Sequence, residues 1–218
     1  MKKAVLIALT LMPLTAMAQN DGWEVPVTEV AAAPATKKEA AKAQENEYKY
    51  AEYLGEDCVP LVDGKVEWQY DIELPGRSAD DIYKATLDIL TRMTSEENQL
   101  ERSKVALVNP QQHSLIATMQ EWLVFSSSAL TLDRTKFNYV LQADCTDGHL
   151  QLRLGHITYN YEAQRDTYNY KAEEWITDEF AVNKKRTRLY PIAGKFRRKT
   201  IDRKNEIFEN IKGKIALR

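Results

Sequence analysis

Cysteine and histidine are scarce: the 218 residues hold 2 Cys and 3 His. A cysteine cluster for iron–sulfur or structural zinc is excluded, and an all-histidine zinc site would need every histidine in the chain. Long apolar runs are missing as well. Ala4 to Leu14 is apolar but broken by Thr10 and Pro13, short of the roughly 20 residues that a membrane span requires. No HExxH, G-x-S-x-G or Walker loop occurs, so the familiar zinc-protease, serine-hydrolase and nucleotide-phosphate signatures are absent. Ser126-Ser127-Ser128 reads as a polar loop with no activated serine. Glu67, Asp71 and Glu73 imitate a paired-carboxylate row but read as the wet face of a strand. Neither a catalytic residue nor a cofactor site is indicated.

What is present begins with a leader. Met1-Lys2-Lys3 is a basic n-region, Ala4 to Leu14 an apolar h-region, and Ala16-Met17-Ala18 a small-x-small cleavage site. Residues 1–18 therefore read as a signal peptide and place the protein in the periplasm or outside the cell. No cysteine follows the site to accept a lipid, and no later window spans a membrane. Residues 19–46, with Ala31-Ala32-Ala33-Pro34 and Lys37-Lys38-Glu39-Ala40-Ala41-Lys42, offer little to bury beyond Trp23. Such a segment reads as a flexible low-complexity arm. Residues 47–218 form one domain.

Within that domain Val66, Trp68, Tyr70, Ile72 and Leu74 alternate with polar residues, a strand with one wet face. Pro75-Gly76 ends it, and Ser78 with Asp81 forms a capping box. The helix that follows carries Ile82, Ala85, Ile89 and Met93 on one stripe. Strands at Val105–Val108, His113–Phe125 and Phe137–Cys145 come next. Asp147-Gly148 turns the last into Leu150, Leu152 and Leu154. Parity shifts at Gly155, which predicts a bulge there; His149 and His156 share a face only through it. A short helix over Lys171–Ala181 and a final helix over Thr200–Ala216, capped by Thr200, complete the order. Strand, helix, four strands and helix imply a two-layer α+β domain, an antiparallel sheet with helices on one face.

This order, and the sequence itself, resemble a family of uncharacterised exported proteins of Bacteroides and its relatives, DUF4468, a domain of unknown function with TBP-like fold. The likeness is carried by Lys65 to Leu74 running through Gly76 into Asp81-Ile82-Tyr83. The hairpin Tyr139 to Leu154, Glu174-Trp175-Ile176-Thr177-Asp178, and Gly194-Lys195-Phe196-Arg197 through Thr200-Ile201-Asp202 carry it further. It extends from about residue 60 to 215. The resemblance implies a curved TBP-like sheet and an exported location, and no activity or site. A nucleic-acid role would rest on fold analogy alone.

Cys58 and Cys145 leave two readings open: a disulfide in an oxidising compartment, or two free thiols, with Cys145 packed as a small hydrophobe. The strongest local signal is charge. Lys184, Lys185, Arg186, Arg188, Lys195, Arg197, Arg198, Lys199, Arg203 and Lys204 stand against the single acid Asp202, in a chain of net charge −2. The first eight form a candidate anion-binding patch for an anionic envelope component; the competing reading is pairing with the acidic body, at Glu67, Asp71 or Glu73. Compartment and net acidity argue against nucleic acid. The function expected is a non-enzymatic envelope binding or accessory protein. The alternative is a small-ligand or lipid carrier with a cavity between sheet and helices, lined by Trp68, Tyr70, Tyr139 and Tyr159.

Cleavage after Ala18 makes Gln19 the expected first residue of the exported protein. Mass spectrometry of that protein checks it; residues 1–18 still attached would contradict it.

Overall fold

β1 (Leu61–Val62) and β2 (Lys65–Glu73) open the sheet as a hairpin through Asp63-Gly64, both in the left-handed region. In this computed structural model residues 50–127, 132–163 and 166–217 are described. The chain divides into two compact units, Met1–Thr36 and Lys37–Arg218, and every described residue lies in the second. The leader, the whole arm with Trp23, and Ser128 fall outside the described residues.

Alternation does its expected work in β2 and just beyond it: Val66, Trp68 and Ile72 are buried, as is Leu74 after the strand's end, while Tyr70 is half-buried and stacks on Phe208 at 5.0 Å. Gly76 takes φ +80° and turns the chain into α1 (Ala79–Met93). Two side chains cap that helix. Ser78 Oγ accepts from the Asp81 amide at 3.2 Å, and Asp147 Oδ1 accepts from the Ala79 amide at 2.8 Å. The second cap comes from the turn between β5 (Leu132–Thr146) and β6 (His149–Ala163), so the helix start is tied to that hairpin.

β3 (Lys104–Asn109), β4 (Ser114–Ser127) and β7 (Asp166–Lys171) complete a seven-stranded antiparallel sheet of order β1-β2-β6-β5-β4-β3, with β7 beside β6. The parity break at Gly155 is a true bulge. Register shifts between Asn138 and Val140 of β5, and His156 adopts φ +53°. This bulge marks a change of partner. Before it β6 pairs with β2, and after it with β7. A Cβ on Gly155 would sit 3.2 Å from the Val66 carbonyl oxygen, which is why the position suits glycine. The bulge also returns His156 to the outer face that holds His149.

The two layers are as expected; three boundaries are not. β7 occupies what reads in sequence as a polar connection, because its alternation is Tyr168 and Tyr170 around Asn169 in a stretch of only six residues. The expected helix over Lys171–Ala181 is instead a 3-10 turn, Ala172–Glu174, and a four-residue helix α2, Asp178–Ala181. The last helix, α3, spans Pro191–Ala216, beginning with proline at its first turn. Thr200 is therefore no cap. It is buried in mid-helix, its hydroxyl 2.7 Å from the Tyr159 hydroxyl.

α1 and α3 cover one face of the sheet. Between them and the strands lie Phe137, Tyr139, Leu141, Leu152, Tyr159 and Phe196, each essentially without solvent exposure. A fully buried side chain of this size stabilises by roughly 1.5–3 kcal/mol. Packed aromatics thus occupy the place where a carrier's chamber was expected. Among the described residues no helix is long and apolar enough to cross a membrane.

Cys58 and Cys145 are both free. Cys58 lies beside Trp68, whose indole donates to the Cys58 carbonyl at 2.9 Å, and Trp68 faces Leu154 across the β2–β6 ladder. Cys145 faces Leu150, four residues further along β6. Four strand residues span about 13 Å, beyond the roughly 7 Å between Cα atoms that a disulfide bridges. Burial pushes the Cys145 thiol up to about 11, against an opposing Thr86 hydrogen bond. Protein purified without reductant and then denatured is expected to titrate two thiols. In the native state at pH 8 Cys145 stays protonated and unalkylated until unfolding. A chain with no titratable thiol would contradict this.

Candidate functional site

The basic segment does not form one outward patch. Its first part is a rigid turn closed by the Val182–Leu189 bridge, with Asn183 Oδ1 accepting from the Thr187 and Arg188 amides at 2.9 and 3.0 Å. Lys184, Lys185 and Arg188 project from it into solvent. Arg186 turns back to Asp178 at 2.5 Å and Glu56 at 3.3 Å.

The helical part points inward. Arg197 has 0% exposure, which removes it from any anion patch. Its Nη1 meets Asp178 Oδ1 at 2.7 Å and donates to the Ile176 carbonyl at 2.9 Å. Its Nε donates to the Tyr53 carbonyl at 2.7 Å, and Nη2 to the Gly55 carbonyl at 3.3 Å. A guanidinium buried without such partners would be far more costly. Lys195 is engaged by Asp133 at 2.7 Å and the Tyr161 hydroxyl at 3.0 Å, with its Nζ 4.7 Å from the Phe125 and Tyr161 ring centres. Arg198 lies 4.0 Å over the Tyr50 ring, and Lys199 lines a groove between α3 and residues Trp122, Leu123 and Val124 of β4. Arg203 forms a bidentate pair with buried Glu121 at 2.8 and 2.9 Å, and Asn98 and Gln99 donate to the same carboxylate.

Intramolecular pairing therefore holds for much of the segment, but not with the acids expected. Asp178, Glu56, Asp133, Glu121 and Glu206 are the partners. Of the β2 row, Asp71 meets His149 at 3.1 Å on the outer face; hydrogen bonds from Gln151 and then Gln69 hold its carboxyl below the usual range. Ser126 and Ser127 end β4 in solvent. Among the described residues no group of three or more His, Cys, Asp and Glu side chains is placed to hold a metal.

The sheet face away from the helices carries a feature that strand reading passed over. Gln120 of β4, Asn138 of β5, Asn160 of β6 and Asn169 of β7 occupy outward positions and form one chain of amides. Gln120 Nε2 donates to Asn138 Oδ1 at 2.7 Å, Asn138 Nδ2 to Asn160 Oδ1 at 2.9 Å, and Asn160 Nδ2 to Asn169 Oδ1 at 2.5 Å. Asn138 Nδ2 also lies 3.3 Å from the Thr158 hydroxyl. Crossing four strands at about 4.8 Å spacing, the row is about 14 Å long.

Two contiguous grooves, about 580 Å³ each, flank this row and share Glu101, Arg102, Gln120 and Asn160. Lys104, Lys136 and His156 also line them. Arg102, Lys104 and Lys136 make no ion pair among the described residues, and Glu101 is the one acid in the lining. Trp122 stands at the end of the row, with the Arg134 guanidinium 3.7 Å from its ring centre. The sequence signal for this surface was alternate Asn and Gln residues on wet strand faces, a pattern that reads as solvation until register brings the amides together.

A family profile, described as a domain of unknown function (DUF4468) with TBP-like fold, matches residues 68–160. The structure is similar to that of a DUF4468 family protein from Bacteroides ovatus, with 37% identity and TM-score 0.68, covering 72% of this chain and 90% of that one. It is also similar to a TBP-like protein from Parabacteroides distasonis, with 20% identity and TM-score 0.61, covering 73% and 97%. The second likeness is one of fold. Comparison with curated proteins finds no match.

Proposed function

We infer that this chain, which belongs to the DUF4468 family of domains of unknown function with TBP-like fold, is a non-enzymatic binding or accessory protein of the cell envelope. In this reading the leader exports it to the periplasm or beyond, and the sheet face away from the helices is its ligand-facing surface. The observation that carries it is the amide row Gln120–Asn138–Asn160–Asn169 beside cations that make no ion pair among the described residues. Aligned polar groups in a groove, held by a rigid sheet, are suited to recognition. The helix-covered face, filled by Tyr139, Tyr159 and Phe196, leaves that role to the other side.

A second reading has an observation of its own. Lys184, Lys185 and Arg188 stand on the 182–189 turn, beside Phe180, Tyr190 and Ile192, which are 42%, 40% and 60% exposed. Exposed cations beside exposed apolar side chains suit attachment to an anionic envelope surface.

One experiment separates the two. Isotope-labelled protein starting at Gln19 is titrated with envelope extract while side-chain and backbone amide resonances are followed. Perturbation of the Gln120, Asn138, Asn160 and Asn169 side-chain amides is the expected result. Perturbation confined to residues 182–189 would transfer the function to that turn, and an unchanged spectrum would overturn the binding reading.

A further inference from the structure

We propose that the groove across the sheet face away from the helices binds an acidic polysaccharide chain, running along the amide row with its anionic groups toward Arg102, Lys104 and Lys136. The proposal rests on the reading of that face as the binding surface and assigns its ligand class.

The amide row has polarity. Donation runs from Gln120 through Asn138 and Asn160 to Asn169. Among the described residues Gln120 Oε1 receives no hydrogen bond and Asn169 Nδ2 makes none, leaving a free acceptor at one end and a free donor at the other. A sugar hydroxyl donates and accepts at once, so it satisfies either end. Thr118, Thr158 and Thr167 add hydroxyls along the grooves. The row's length of about 14 Å, three strand spacings, suits a short run of sugar rings rather than a single small molecule.

Charge sets the second requirement. Arg102, Lys104 and Lys136 face the grooves without ion pairs among the described residues, and only Glu101 opposes them. Such cations favour carboxylate, sulfate or phosphate groups on the chain.

Other polyanions fit less well. Single-stranded nucleic acid is held by successive aromatic platforms on which its bases stack. Here Trp122 is the one aromatic at the row's end, and Arg134 already covers a face of it. A protein partner would call for an apolar centre, whereas the centre of this surface is amide.

Calorimetric titration of the chain from Gln19 tests the proposal with four probes: oligogalacturonate, a neutral malto-oligosaccharide of equal length, inorganic polyphosphate, and a single-stranded oligodeoxynucleotide. Oligogalacturonate is expected to bind most tightly and to weaken as salt rises. Gln120→Ala, which removes the free acceptor at the row's end, is expected to weaken it by roughly tenfold, the equivalent of one lost hydrogen bond. Arg102→Ala with Lys136→Ala should weaken it further. Lys184→Glu with Lys185→Glu should leave it unchanged, and matched unfolding midpoints identify variants that remain folded.

Three results overturn the proposal: no binding of oligogalacturonate, polyphosphate binding as tightly with no dependence on Gln120, or tighter binding of the oligodeoxynucleotide. If the sheet amides still respond to envelope extract, the face remains the binding surface and the ligand class alone is wrong.

Discussion

The docking of α3 against the chain before β1 and after β7 depends on one buried cation. Arg197 has no exposure, and taking a guanidinium out of water costs several kcal/mol unless its donors are satisfied. Asp178 supplies the countercharge, and the carbonyls of Tyr53, Gly55 and Ile176 accept its hydrogen bonds. The arginine thereby fastens two separate pieces of chain to α3: the segment leading into β1, and the stretch that runs from the turn after β7 into the start of α2. Neighbouring contacts strengthen the same junction. Tyr53 donates to Asp202 of α3 at 2.7 Å, and the Trp68 indole reaches back to Cys58. Asp178 also holds Arg186, so the orientation of the 182–189 turn follows from the same carboxylate.

This fastening decides where recognition can occur. Lys195 and Arg203 join α3 to the sheet through Asp133 and Glu121, and Arg197 joins it to α2 through Asp178. Cations engaged in this way have little to gain from an external anion. Among the described residues, cations without an ion pair stand on the 182–189 turn and along the rim of the sheet face away from the helices. Only the second borders an ordered row of hydrogen-bonding groups. The bulge at Gly155-His156 makes that row possible, because it releases β6 from β2 and lets β7 bring Asn169 beside Asn160.

The layers were legible in sequence because they rest on periodicity. Val66 to Leu74, the Ile82–Met93 stripe and the Asp147-Gly148 turn each follow local rules, and the structure keeps them. The bulge was legible for the same reason, as a parity break at Gly155. Features fixed by tertiary contact were not. Arg197 and Lys195 read as surface charge because no local pattern distinguishes a buried arginine from a solvated one, and that misreading also hid the first two turns of α3. β7 was missed because six residues are too few for alternation to stand out beside a polar loop. The amide row depends on register across four strands, and alternation within one strand carries no register.

The central claim, that the basic segment is chiefly an internal fastening, is tested most directly by equilibrium urea unfolding of Arg197→Ala beside Lys184→Ala with Lys185→Ala. Breaking the buried pair should lower the unfolding free energy by about 3–5 kcal/mol. Removing the two exposed lysines should change it by no more than about 0.5 kcal/mol. Equal, small losses in both would show that Arg197 is not holding the domain together and would contradict the account.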